Sequence, residues 1–124
     1  MGATRDIALT ELPFRGISIN PESGDEASIA IVPSDSGVIF INKETSSGTV
    51  TYTLPAVADG AGKWFWFFQG GAVELIVSCA TASIVGDATG TTATCDSAQG
   101  ACGFVIGDGT YYYLHEISGD WAVT

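Results

Sequence analysis

Asp59-Gly60-Ala61-Gly62-Lys63-Trp64-Phe65-Trp66-Phe67-Phe68-Gln69-Gly70-Gly71 sets five consecutive aromatic residues between glycine turns. In an extended strand successive side chains point to opposite sides, so Trp64, Trp66 and Phe68 line one face while Phe65 and Phe67 line the other. A strand with one wet face alternates apolar with polar residues. This one needs cover on both faces. One face fills the core of its own domain, and the other meets either a second sheet or a neighbouring subunit.

The flanking segments are half-buried by pattern. In Val73-Glu74-Leu75-Ile76-Val77-Ser78-Cys79 the odd positions form an apolar row, and in Thr49-Val50-Thr51-Tyr52-Thr53-Leu54 the even positions do. From residue 27 onward, short segments rich in β-branched or aromatic residues recur between turn residues. The pattern predicts strands at 27–32, 37–41, 49–53, 63–68, 73–78, 82–85, 103–106, 110–117 and 121–123. No window carries the 3.6-residue periodicity of a useful amphipathic helix. The expectation is an all-β single domain over residues 27–124, a β-sandwich of jelly-roll type with the aromatic strand near the middle of a sheet. Its close is expected to be a hairpin turning at Ser118-Gly119-Asp120. Residues 1–26 are read either as an extended arm reaching a neighbour or as an edge strand of the same domain, with short extended pieces at 7–9 and 17–19.

Composition excludes several function classes. Four Lys or Arg stand against fourteen Asp or Glu, a formal charge of -10. Arg5, Arg15, Lys43 and Lys63 are scattered, whereas phosphate neutralisation needs clustered cations, so no nucleic-acid partner is expected. The same balance disfavours an anionic membrane surface. The most apolar span, 64–85, is broken by Gln69, Gly70, Gly71 and Glu74 and does not read as a membrane helix. Residues 1–6 lack a signal-peptide core, and the expectation is a protein made and used without secretion.

Catalytic signals are weak. The single histidine, His115, lies in Tyr111-Tyr112-Tyr113-Leu114-His115-Glu116-Ile117 on one face with Tyr111 and Tyr113, and reads as a structural or interface residue. Asp87, Asp96 and Asp108 sit in turns without calcium-loop spacing. No phosphate-loop or dinucleotide motif is present. Neither an enzyme nor a cofactor is expected. Tyr111, Tyr112, Tyr113 and Trp121 serve either as cross-strand packing pairs or as a sugar-stacking platform. Cys79 reads as a buried thiol. Cys95 and Cys102 bracket a short polar loop that a disulfide would staple, worth about 2–3 kcal/mol if unstrained; a reducing assembly site would leave both as thiols.

The segments Asp35-Ser36-Gly37-Val38-Ile39-Phe40-Ile41-Asn42, Gly48-Thr49-Val50-Thr51-Tyr52-Thr53-Leu54-Pro55 and Gly62-Lys63-Trp64-Phe65-Trp66-Phe67, closed by Gly107-Asp108-Gly109-Thr110-Tyr111-Tyr112-Tyr113 and Gly119-Asp120-Trp121-Ala122-Val123, resemble a pattern of small tailed-bacteriophage virion proteins. The pattern spans residues 34–124 and is most like that of head decoration, or capsid cement, proteins. Residues 1–33 carry none of it, and the cysteine-bearing region 80–102 is longer than the plain loop of the pattern. The resemblance implies a homotrimer on the outer surface of the phage head, assembled in the host cytoplasm, that binds the major capsid protein and needs no cofactor. Fibre and tail-associated modules share the motifs, so a host-glycan-binding fibre module is the alternative. The contact candidates on this reading are Trp64, Trp66, Phe68, Ile7, Leu9, Ile17, Tyr111, Tyr113 and Trp121.

Overall fold

The computed structural model describes residues 7, 14–21, 28–45, 48–96 and 99–124. These residues form two sheets and two short 3-10 turns. The strands are β1 (Gly16–Asn20), β2 (Ser28–Ala30), β3 (Val38–Asn42), β4 (Thr49–Thr53), β5 (Trp64–Gln69), β6 (Glu74–Ser78), β7 (Ile84–Val85), β8 (Thr89–Gly90), β9 (Thr92–Cys95), β10 (Cys102–Gly107), β11 (Tyr112–Ser118) and β12 (Trp121–Val123). Sheet I runs β1-β3-β5-β10-β11-β7-β8, and sheet II runs β12-β9-β6-β4-β2.

The all-β expectation holds, but the winding is not that of a jelly roll. A jelly roll is built from antiparallel Greek keys. Here the first six strands alternate between the sheets, and same-sheet neighbours pair in parallel: β1 with β3 and β3 with β5 in sheet I, β2 with β4 and β4 with β6 in sheet II. The chain therefore climbs in stacked coils, as a solenoid does. Antiparallel strands then close the stack, with β10 and β11 beside β5 and β9 and β12 beside β6.

Register explains why the coils stack. Gly16-Ile17-Ser18-Ile19-Asn20 lies residue for residue against Val38-Ile39-Phe40-Ile41-Asn42. Trp66-Phe67-Phe68-Gln69 follows against Ile39-Phe40-Ile41-Asn42. Each coil repeats a large apolar residue outward, a residue inward, another apolar residue outward and an amide inward. The amides form a buried ladder. Asn20 Nδ2 donates to Asn42 Oδ1 at 3.2 Å. Asn42 Nδ2 donates to Gln69 Oε1 at 3.4 Å and to the Val73 carbonyl at 2.9 Å. Gln69 Nε2 donates to the carbonyls of Gly71 and Val73, and Asn42 Oδ1 also accepts from the Glu44 amide at 3.1 Å. Burying an amide is costly unless such bonds are made, so the ladder fixes the coil register.

Between the sheets lies one apolar core. Phe65, Phe67 and Val105 enter it from sheet I, with Val50, Tyr52, Leu75 and Val77 from sheet II, all at 1% exposure or less. Phe67 stacks on Phe40 at 5.8 Å between ring centres and tilts against Tyr52 at 5.6 Å. Burying a side chain of this kind is worth about 2 kcal/mol. Burial also pushes the Tyr52 phenol well above its usual pKa.

Gly16–Asn20 is the terminal strand of sheet I among the described residues. Two expectations change. The close is no hairpin: β11 belongs to sheet I and β12 to sheet II, where β12 pairs with β9. Gly119 makes that crossing with φ +82°, and a Cβ there would lie 2.5 Å from the Ala101 Cβ. Region 80–102, expected as a long loop after 82–85, also holds β8 and β9. In β9 the buried row consists of the small residues Ala93 and Cys95, whose weak apolar signal hid the alternation.

Where β10 passes the 3-10 turn Val57–Gly60, Gly107 leaves no room for a side chain. A Cβ at Gly107 would sit 2.2 Å from the Gly60 carbonyl oxygen, which is backbone and cannot swing aside. Gly107→Ala is expected to cost about 2 kcal/mol, read as a lower urea midpoint with an unchanged slope.

Candidate functional site: the outer face of sheet I

The outward side chains of sheet I align in three cross-strand rows. The first runs Ile17, Ile39, Trp66, Phe104, His115 across five strands. The second runs Ile19, Ile41, Phe68, Cys102, and the third runs Trp64, Ile106, Tyr113, Val85. None of these residues is Asp, Glu, Lys or Arg. The corresponding row on the outside of sheet II reads Ser28, Thr51, Ile76, Thr94, Ala122. Apart from Ile76, that row is small or hydroxylated, whereas the rows of sheet I are mostly aromatic and aliphatic.

Strand geometry creates this face. The parallel coils place like residues directly above one another, so an apolar position in one coil becomes an apolar row across several. The aromatic members support each other: Trp66 tilts on Phe104 at 5.2 Å, Phe104 stacks on His115 at 4.7 Å with planes 9° apart, and Trp64 meets Trp66 edge-on at 6.0 Å. Such pairs add about 1 kcal/mol each beyond burial. Mutual shielding leaves Trp64, Trp66 and Phe104 half-buried, while Ile17 is 56% exposed, Ile19 51%, Tyr113 39% and Phe68 37%. A contiguous apolar surface of this kind marks an interaction site, whereas a lone exposed isoleucine does not.

The structure thus brings Trp64, Trp66, Phe68, Ile17 and Tyr113 of the contact candidates onto one face, and adds Ile19, Ile39, Ile41, Phe104, Ile106 and His115. The signal for the added isoleucines was the repeat in Gly16–Asn20 and Val38–Asn42. Tyr111 is exposed just before β11 and tilts against Tyr113 at 6.3 Å. Ile7 is exposed; Leu9 lies outside the described residues. Trp121 drops out. It is 5% exposed, packs in the core from sheet II and donates its Nε1 proton to the Ser118 carbonyl.

The turn carboxylates have local work. Asp108 Oδ1 accepts from the amides of Thr110 and Tyr111, and Oδ2 accepts from the Tyr113 hydroxyl at 2.7 Å. The Tyr111 amide, followed by the Tyr113 hydroxyl, holds the Asp108 carboxyl below its usual pKa, and the same bond raises the phenol of Tyr113. Asp87 accepts from the Val123 amide. Among the described residues no group of His, Cys, Asp and Glu is arranged to hold a metal ion, and no helix is long and apolar enough to cross a membrane.

The proposed disulfide is not formed. Cys79, Cys95 and Cys102 are free and buried, with Cys95 in β9 of sheet II and Cys102 in β10 of sheet I. Burial pushes the Cys95 thiol up to about 11. Little Cys95 thiolate forms at pH 8, and all three thiols are buried, so a chromogenic disulfide reagent is expected to react slowly with the native protein and to titrate three thiols after denaturation. Fast reaction of all three in the native state would contradict this placement.

Comparison with known protein families and with curated proteins finds no match to this chain.

Proposed function

We propose that this chain is a structural protein of a tailed-bacteriophage virion, a decoration protein that binds the outer surface of the head as a homotrimer and ties major capsid subunits together. The observation that carries the reading is the contrast between the two sheets: uncharged rows, mostly aromatic and aliphatic, on sheet I, and on sheet II a row that is small or hydroxylated except at Ile76. An apolar face between polar surroundings is what a protein interface needs at its centre. A ring of three copies closes on itself, so each copy's face is satisfied without leaving an open end. Several shell contacts held by one trimer then bind more tightly than any one alone. The formal charge of -10 keeps free copies apart until these short-range contacts form. Catalysis and cofactors have no part in this role.

The test is co-sedimentation of the purified protein with mature and immature phage heads. Binding to mature heads, lost in Phe104→Asp without loss of folding, is the expected result; binding to neither kind of head would defeat the reading.

A second reading has its own observation. Stacked parallel coils are an architecture suited to lengthening, and the exposed Tyr111–Tyr113 pair offers a stacking surface, so a fibre or tail-associated module that binds host glycans is the alternative. Glycan binding that disappears in Tyr113→Ala would favour it.

A further inference from the structure

The longest apolar row of sheet I ends on the chain's one histidine. His115 lies opposite Phe104 in the β10–β11 pairing, and its imidazole stacks flat on the Phe104 ring, 4.7 Å between centres with planes 9° apart. Phe104 in turn leans on Trp66 at 5.2 Å. His115 itself is exposed, so the uncovered protein leaves it in water. A partner seated on the Trp66–Phe104 pair also reaches the imidazole standing beside it.

Histidine is the side chain whose charge ordinarily changes between pH 5 and pH 8; carboxylates titrate below that range, and thiols and phenols above it. The groups packed around His115 leave it alone in that role. β10 brings Cys102 to the same face, a buried thiol. β11 brings Tyr113, whose hydroxyl donates to Asp108, and Glu116, which pairs with Gly103 and alternates to the other side of the sheet. β5 brings Trp64, Trp66 and Phe68, and β7 meets β11 through Ile84 and Val85, none of them titratable. Among the described residues, no carboxylate stands in these rows to pair with an imidazolium once water is gone.

The geometry points to His115 as a pH switch of the sheet I face: with the imidazole neutral the face attaches to the phage head, and protonation weakens that attachment. The switch rests on the reading of this face as the head-binding surface. Covering an unpaired cation strips its water and disfavours the charged form, so attachment must expel the proton. The stack survives protonation, because a cation is attracted to an aromatic face. Acid therefore loosens the contact and leaves the strand folded.

The test is co-sedimentation with mature heads at pH 7.5 and pH 5.5, with circular dichroism to confirm that the free protein stays folded at both. Expelling one proton per copy is expected to weaken binding of the parent about tenfold at the lower pH, the span over which an ordinary histidine goes from mostly neutral to mostly charged. His115→Phe keeps a flat ring on Phe104 without a titrating nitrogen and is expected to bind equally at both pH values. His115→Lys, charged at both, is expected to bind weakly at both. Parent binding that is unchanged or tighter at pH 5.5, or an equal loss in His115→Phe, would overturn the switch while leaving the head-binding reading in place. No binding of the parent at either pH would overturn both.

Discussion

Phe67→Ala is expected to cost about 4 kcal/mol of folding stability. The ring is wholly buried and lies between Phe40 and Tyr52, so truncation removes a large apolar side chain and leaves a cavity bounded by two aromatic neighbours. Neighbours held in β3 and β4 cannot collapse into it without breaking register. A domain of this size has about 5–15 kcal/mol to lose, so the variant is close to unfolding at 25 °C. Trp66→Ala, one residue away on the same strand, removes a half-buried ring from the other face and is expected to cost about 1–2 kcal/mol in the isolated chain. Urea unfolding of the two variants separates the faces: a large fall in midpoint for Phe67→Ala and a small one for Trp66→Ala. Equal falls would mean that both faces are core.

The second large effect is expected at the amide ladder. Asn42→Leu keeps the side chain's approximate size but withdraws the acceptor used by Asn20 and Glu44 and the donor used by Gln69. Each buried polar group left unpaired costs about 1–3 kcal/mol, so a loss of about 4 kcal/mol is expected, much larger than an apolar swap of like size costs in a core. Asn42→Gln, which retains an amide, is expected to recover part of it. Calorimetry reads both; a stability for Asn42→Leu equal to the parent's would show that the ladder is incidental to the coils.

Strand identity was legible where side chains were large. The Thr49–Thr53 and Trp121–Val123 boundaries are reproduced, and the two-faced Trp64–Phe68 segment does lie within a sheet, between β3 and β10. What the pattern hid is pairing direction. Alternation says which face of a strand is apolar, but a parallel coil and an antiparallel Greek key produce the same alternation. The clue that distinguishes them is the recurrence of Ile-x-Ile-Asn at 17–20 and 39–42, which sets like above like, and two copies of so short a pattern carry little weight until Gln69 is seen to continue them. β9 was hidden because Ala93 and Cys95 fill a narrow part of the core. Trp121 was grouped with the tyrosines, as a cross-strand packing partner or a stacking surface, because the chain was expected to turn back within one sheet; Gly119 instead carries it across to the other. Of the candidate site, the Trp64, Trp66 and Phe68 row was readable from one strand, whereas its extension through Ile39, Phe104 and His115 depends on register between strands far apart in sequence.

That extended face is the centre of the account, and hydroxyl-radical footprinting of the protein sedimented with phage heads tests it most directly. Ile17 and Phe68 lie on the face; Val32, 49% exposed, lies off it and serves as the internal reference. The account predicts that oxidation of Ile17 and Phe68 falls several-fold relative to Val32 when the protein is assembled on heads. Oxidation that keeps the same ratio to Val32 on heads as in the dilute free protein would contradict it.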